Sequence, residues 1–117
     1  MKKFISGFAV VAALLLSNVS AAVSIEDAYK LYAAEDSRES LLMLLKAYEE
    51  GMGWANAQLE SQGRAKLYCQ PGKLALVGQN IYRLTTDHIE TRGYEVDQEW
   101  PFELFTLEAL IEAFPCD

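Results

Sequence analysis

The chain has 117 residues, and 17 acidic residues outnumber 10 basic ones, which gives a net charge of −7 at neutral pH. A chain of this length supports one compact domain, and its negative charge opposes binding to nucleic-acid phosphates and to anionic lipid. The charge favours a basic partner or simple solubility.

Residues 1–22 have the three parts of a cleavable export signal. Two lysines form a basic start, an uncharged apolar run continues to Leu16, and small residues follow at the expected cleavage site. We predict cleavage after Ala21 or Ala22, which leaves a domain of residues 23–117 with 8 basic and 17 acidic residues and a net charge of −9. The apolar run is shorter than the roughly 20 residues of a membrane span. We therefore expect a periplasmic protein without membrane attachment after cleavage; a retained anchor is the alternative.

Two helices are predicted next. Residues 24–27 have the form of a capping box, and Asp36 precedes a glutamate by three residues, so helices should begin near residues 25 and 37. The second helix has apolar residues at steps of three and four, and this stripe predicts a buried face that runs to about residue 62. The stripe comprises Leu41, Leu44, Leu45, Tyr48, Met52, Ala55 and Leu59. Gly51 and Gly53 lie within it and predict a kink or a close helix crossing near Trp54, or a break into two helices.

Two further helices are predicted in the C-terminal half. An apolar stripe with helical spacing, which should end at Gly93, comprises Leu74, Val77, Ile81, Leu84 and His88. Residues 94–100 alternate only weakly and contain three acids, which predicts an exposed loop, with a strand as the alternative. Pro101 fits the first turn of a last helix over residues 102–114. Because that helix is apolar around most of its circumference, the core or a second subunit should cover it. The predicted fold is all-α, a small bundle of four to five helices.

The two cysteines, Cys69 and Cys116, are expected to form a disulfide, as is usual for an even number of cysteines in a small exported domain. The bond would close a loop of about 48 residues and stabilise the fold by roughly 4 kcal/mol. A nucleophilic or metal-binding cysteine is the alternative. It lacks partners, because the chain has one histidine and no Cys-x-x-Cys motif.

The sequence offers little for catalysis. His88 stands alone and fits a hydrogen-bonded core residue better than a catalyst. Carboxylate pairs such as Glu108 and Glu112 fit a solvated helix face better than an acid–base pair. Glycines are scattered rather than grouped in a phosphate-binding or dinucleotide-binding pattern. We therefore predict no enzyme activity, no metal and no cofactor.

The segment 94–100 is the predicted partner-binding surface. It combines aromatic and acidic residues, the mixture expected where a protein inserts an aromatic anchor into a basic or polar cleft. The residues are Tyr94, Glu95, Asp97, Glu99 and Trp100. The alternative is that Trp100 packs in the core and the acids are merely solvated.

Three segments of the C-terminal half carry a family resemblance. They are Leu-Tyr-Cys-Gln-Pro at 67–71, Trp-Pro at 100–101, and the ending Leu-Glu-Ala-Leu-Ile-Glu-Ala-Phe-Pro-Cys at 107–116. With this separation they resemble the Rap/Tai-type domain, the family that contains the periplasmic immunity proteins of type VI secretion. The resemblance covers residues 41–116. Residues 47–51 are also similar to the family's tyrosine-to-glycine element.

The resemblance implies an exported, mostly helical protein, often a homodimer, whose best-known relatives bind a secreted peptidoglycan amidase and block its active site. The family often carries a further cysteine just before residues 47–51, where this chain has Leu-Leu-Lys-Ala at 44–47. That departure leaves one disulfide and no spare thiol. Two other functions stay open: a structural or unassigned role within the same family, and an acid-stress chaperone whose carboxylates open the domain when they are protonated at about pH 3 to 4.

Overall fold

A computed structural model describes residues 22–117, so the predicted signal peptide lies outside the described residues except for Ala22. The described helices are α1 (Ile25–Ala33), α2 (Glu35–Ser61), α3 (Gly78–Arg92) and α4 (Phe102–Ala113), with a 3-10 turn at Gly93–Glu95. Residues 22–117 contain no strand, only an isolated bridge between Ser24 and Pro101. The predicted all-α bundle of four to five helices is confirmed, with four α-helices in residues 22–117. None of these helices combines the length and apolar character needed to cross a bilayer.

The first two helices differ in how their N-termini are capped. α1 begins where predicted, and the Ser24 side chain accepts a hydrogen bond from the Asp27 N–H at 3.1 Å. α2 begins at Glu35 with Ala34 as its N-cap residue, which makes no side-chain capping bond. The predicted cap, Asp36, therefore lies inside the first turn, where its charge can still favour the helix through the helix dipole.

The long helix α2 is continuous through both of its glycines. A Cβ atom built on Gly51 or Gly53 would meet nothing within 4 Å, so neither glycine serves a close approach of another helix. The predicted break and the predicted helix crossing near Trp54 are wrong. Packing of the opposite face holds the helix despite the low helix propensity of glycine.

Gly53→Ala is expected to raise the free energy of unfolding by about 0.5–1 kcal/mol, because alanine loses less backbone freedom on entering a helix and meets no neighbour here. Denaturant titration measures the change. Gly63→Ala is the matched control: the position is equally open, but its φ of +67° is unfavourable for alanine, so stability should fall. A gain at both positions would contradict this account.

The buried face of α2 differs from the predicted stripe. Leu41 and Leu45 are buried as expected, whereas the predicted core residues Leu44, Tyr48 and Ala55 are exposed. Polar side chains occupy the rest of the buried face: Glu49 and Asn56. The helix is rotated relative to the prediction because both polar groups find partners there, which removes the cost of burying them.

These polar side chains hold the segment between α2 and α3, Asn56 directly and Glu49 through Lys46 of the same helix. Asn56 donates to the Tyr68 carbonyl at 3.1 Å and accepts from the Leu67 N–H at 2.8 Å. Glu49 pairs with Lys46 at 3.0 Å, and the Lys46 ammonium also donates to the Leu76 carbonyl at 2.6 Å. α2 thus holds this irregular segment through side chains rather than through a sheet.

Helix α3 begins later than predicted, at Gly78, so Leu74 and Val77 lie outside it and are exposed. The reason is a close approach to α2. A Cβ atom on Gly78 would lie 2.8 Å from the Leu42 Cβ atom and closer still to its carbonyl oxygen. Only glycine, which has no Cβ atom, leaves room for α3 to approach α2 this closely, and α3 begins at this residue.

A cluster of aromatic rings joins α1, α3 and α4. Tyr32 and Tyr82 stack with ring centroids 3.9 Å apart, Tyr29 meets Tyr82 edge-on at 6.5 Å, and Phe102 packs against Tyr82 at 5.7 Å. Such pairs add roughly 0.5–1.5 kcal/mol each beyond their area burial. The cluster fixes α1 against the rest of the bundle.

Stability is expected to fall as pH rises from about 10 to 12. Burial, and then Tyr29, Tyr32 and Glu90, raise the pKa of Tyr82 from 10.0 to about 12. A pKa raised in the folded state stabilises the fold fully below the unfolded value and loses that contribution as pH passes the folded value. Denaturant unfolding between pH 8 and 12 measures the loss, and Tyr82→Phe should reduce its slope. An unchanged slope in the variant would contradict the assignment to Tyr82.

The predicted disulfide between Cys69 and Cys116 is confirmed, with Cα atoms 5.0 Å apart. Beside it, the Cys69 N–H donates to the Phe114 carbonyl at 2.7 Å. The end of α4 is therefore fastened to the segment that Asn56 holds against α2. The disulfide therefore links the segment that follows α2 to the C-terminal end of α4.

Candidate partner-binding surface

The segment between α3 and α4 forms a loop with its own internal hydrogen bonds. After the 3-10 turn, Val96 is buried, the Asp97 carboxylate accepts from the Glu99 N–H at 2.9 Å, and the Trp100 N–H donates to the Asp97 carbonyl at 3.1 Å. An Asp side chain that bonds the backbone two residues ahead is typical of a stable turn. The predicted loop is confirmed and the strand alternative is wrong.

The N-terminus of α1 fixes the backbone of this loop. The Ile25 N–H donates to the Trp100 carbonyl at 3.0 Å, and the Glu26 N–H donates to the Gln98 carbonyl at 3.1 Å. These are N–H groups of the first helical turn, which have no partner inside the helix. The loop satisfies them and is itself held, so little backbone entropy remains to be lost when a partner binds.

The side chains of the loop point largely to solvent. Glu95, Asp97 and Glu99 are exposed, and Trp100 is 40 % exposed. The Trp100 ring stacks on the buried Phe105 ring, with centroids 6.0 Å apart and planes 16° apart. Trp100 is thus neither a core residue nor a free side chain: one face rests on the core and the other is available. Tyr94 lies in the 3-10 turn.

Four polar residues that the loop prediction did not include form a cluster of ion pairs between two helices: His88 and Arg92 on α3, and Glu108 and Glu112 on α4. The Arg92 guanidinium lies 5.5 Å from the Phe105 ring centroid, and the His88 ring lies 6.3 Å from it. Each helix carries its two residues four positions apart: the basic pair is on α3 and the acidic pair is on α4. This spacing on two consecutive helices is the sequence signal that could have placed them together.

The contacts of His88 explain how this lone histidine is satisfied. Its Nδ1 lies 2.6 Å from Glu112 Oε2, and its Nε2 lies 3.1 Å from Glu108 Oε2, which Arg92 also contacts at 3.1 Å. A neutral imidazole has one N–H, so both contacts are hydrogen bonds only when the ring is an imidazolium. The two carboxylates face opposite ring nitrogens and do not converge, and within residues 22–117 no cluster suits a metal ion.

A second exposed surface is apolar and belongs to α2. The exposed Leu44 and Tyr48 form one row that continues to the half-buried Met52, beside a row of small residues at Ala47, Gly51 and Ala55. On α4, Leu104 and Ile111 are also exposed, so residues 22–117 do not cover the last helix fully. Exposed apolar rows on helices are typical of surfaces that contact another protein.

A third candidate site is a polar groove between α2 and the segment that follows it. The groove has a volume of about 300 Å³, and its wall includes Glu49, Glu60, Lys66 and Tyr68. The Tyr68 hydroxyl is buried without a hydrogen-bond partner, and burial followed by the charge of Glu49 raises the Tyr68 pKa. The groove mixes both charge signs, and its Glu60 and Lys66 form an ion pair at 3.3 Å.

Comparison of the chain with protein-family models, with curated proteins and with solved structures finds no match. The function of this chain is therefore inferred from its own sequence and from the residues that the structure describes. Of the predicted binding residues, Glu95, Asp97, Glu99 and Trp100 lie together on the described loop, beside the cluster of His88, Arg92, Glu108 and Glu112.

Proposed function

We propose that this chain is an exported binding protein of the immunity type, which neutralises a secreted peptidoglycan amidase in the periplasm by occluding its active site. The observation that carries the proposal is the half-exposed Trp100, which stacks on Phe105 and is preceded in the loop by three exposed acids. The disulfide supports export to an oxidising compartment. The resemblance to the Rap/Tai-type domain supplies the class of partner.

Inhibition by occlusion needs an anchor and a means of orienting the partner. Trp100 is the anchor, because a large, pre-positioned aromatic ring gains much contact area and loses little entropy on binding. The carboxylates of Glu95, Asp97 and Glu99 attract a basic cleft and increase the rate of encounter. Since the loop backbone is fixed by α1, both features meet the enzyme in one geometry.

The test uses a purified type VI peptidoglycan amidase and the mature chain. We expect the chain to inhibit peptidoglycan hydrolysis and Trp100→Ala to weaken binding at least about tenfold. Trp100→Phe is the matched control, because it retains an aromatic ring over Phe105. Replacing Glu95, Asp97 and Glu99 by their amides should slow association and reduce its dependence on salt.

Two results would count against the proposal. One is full enzyme activity at saturating concentrations of the chain. The other is unchanged killing of cells by a periplasm-directed amidase when this chain is co-expressed. Either would favour a structural role for the domain.

We also propose that the chain forms a homodimer through the apolar surface of α2, where residues 22–117 leave Leu44 and Tyr48 exposed beside the half-buried Met52. A second copy would present the same rows, as a two-fold interface requires. Sedimentation equilibrium should give twice the mass of one chain, and Leu44→Glu should give monomers. A monomeric wild-type chain at about 100 μM would exclude the dimer.

A further inference from the structure

A buried carboxylate at the start of α4, Glu103, has no counter-ion among residues 22–117. Glu103 is 9 % exposed; its Oε1 atom accepts the Val23 backbone N–H at 3.1 Å, and its Oε2 atom is buried with no hydrogen-bond partner. No lysine, arginine or histidine of residues 22–117 forms an ion pair with it. Buried charges in proteins are normally paired, because removal from water is costly.

The surroundings of Glu103 supply only partial compensation. It lies in the first turn of α4, where the helix dipole favours a negative charge. The other titratable group facing it is Tyr48, whose pKa is raised by burial and then by Glu103. A neutral phenol is not a counter-ion. One donor, the Val23 N–H, therefore serves a group that can accept several hydrogen bonds.

Val23 is held firmly at this carboxylate. The Phe102 N–H donates to the Val23 carbonyl at 2.8 Å, and the bridge between Ser24 and Pro101 follows immediately. The preceding residue, Ala22, is exposed. A peptide bond between Ala22 and Val23 therefore joins an exposed small residue to a residue whose nitrogen already faces Glu103.

We infer that the mature chain begins at Val23 and that its new α-ammonium group is the counter-ion of Glu103. The inference rests on the export part of the proposed function. Signal peptidase would hydrolyse the Ala22–Val23 bond: water adds, Ala22 leaves as a carboxylate, and the released Val23 amine takes up a proton. An ammonium group has three donors, so it can serve Oε2 as well as Oε1.

The sequence allows cleavage after Ala21 or after Ala22, and the contact between Val23 and Glu103 selects the second position. Cleavage after Ala21 would place the ammonium on Ala22, one residue away from the carboxylate and in solvent. Cleavage after Ala22 places it at the observed position of the Val23 nitrogen, 3.1 Å from Glu103 Oε1. Processing then gives the buried Glu103 carboxylate, which pairs with no cation of residues 22–117, an ammonium partner at the observed position of the Val23 nitrogen, and the folded domain is more stable after processing than before.

The first experiment expresses the full precursor in a Gram-negative host and measures the intact mass of the protein recovered from the periplasm. The expected mass is that of residues 23–117. A periplasmic chain that starts at any other residue overturns the inference and leaves the proposed export intact. Recovery of only uncleaved precursor in the cytoplasm overturns both.

The second experiment tests the ion pair with a cycle of variants exported from the same precursor. One variant carries an extra alanine between Ala22 and Val23, so that the mature amine moves one residue away; the other carries Glu103→Gln. Intact mass fixes the N-terminus of each. Each change alone should reduce the equilibrium constant for folding roughly tenfold, the difference between a charged and a neutral hydrogen bond.

The combined variant distinguishes an ion pair from two independent effects. If the ammonium group and Glu103 act together, adding the extra alanine to Glu103→Gln causes no further loss. If the combined variant instead loses about a hundredfold in the equilibrium constant for folding, the two changes act independently and the inference is overturned. Glu112→Gln is the control, because it neutralises an exposed carboxylate of the same helix. In a Glu112→Gln background the extra alanine should still reduce the equilibrium constant for folding about tenfold.

Discussion

Replacing both Cys69 and Cys116 by serine should lower the free energy of unfolding by about 4 kcal/mol. The sequence separation is 47 residues, and the chain-entropy model gives this value for a loop of that size because the cross-link restricts the unfolded chain. A domain of this size has a total stability of roughly 5–15 kcal/mol. The loss is therefore expected to leave the double variant close to its unfolding threshold at 37 °C.

Denaturant titration of the oxidised wild type and of the double variant measures the effect. Because the uncrosslinked unfolded chain exposes more surface, the slope of unfolding free energy against denaturant should also increase. Wild-type protein treated with a reductant is the matched control and should resemble the variant. A loss below about 1 kcal/mol would show that the hydrogen bond from Cys69 to Phe114 and the packing of α4 hold this end without the bond.

Local signals in the sequence were sufficient for the outline of the fold. Ser24 caps α1, Pro101 precedes α4, Gly93 follows α3, and two cysteines in a small chain pair with each other. Each of these depends on a residue and its close neighbours, or on a simple count. The same holds for the loop at 94–100, whose acids and weak alternation favour exposure.

The features that the sequence did not predict depend on contacts between distant residues. Asn56 is buried on α2 because it bonds the backbone of the next segment, and Glu49 is buried there because it pairs with Lys46, which donates to the Leu76 carbonyl. Apolar periodicity alone therefore places that face incorrectly. Gly78 begins α3 because the Leu42 backbone lies against it. The contact between Val23 and Glu103 joins residues 80 positions apart. None of these pairings leaves a local pattern.

The candidate surface and the core share one residue, Phe105. Its ring is fully buried, and it contacts Trp100 from the loop, Arg92 from α3 and the neighbouring His88. The exposed anchor is therefore positioned by the same packing that stabilises the bundle. A change at Phe105 should alter the binding surface even in molecules that remain folded.

Phe105→Ala should cost about 3–5 kcal/mol of stability, as is usual for removing a fully buried aromatic ring. In the folded fraction, Trp100 loses the ring on which it stacks and becomes more exposed to water. Trp54 is 77 % exposed and would obscure the signal, so the experiment uses a Trp54→Phe background, in which Trp100 is the remaining tryptophan. We expect its fluorescence emission to shift to longer wavelength under native conditions.

Phe105→Leu is the control, because leucine fills most of the same space and should cost less than about 1.5 kcal/mol. It tests separately whether an aromatic ring, rather than an apolar side chain, is needed beneath Trp100. If only the ring matters for the anchor, the leucine variant retains most of its stability and still shows the emission shift. An unshifted emission in both variants would mean that the hydrogen bond between the Trp100 carbonyl and Ile25 positions the side chain without Phe105.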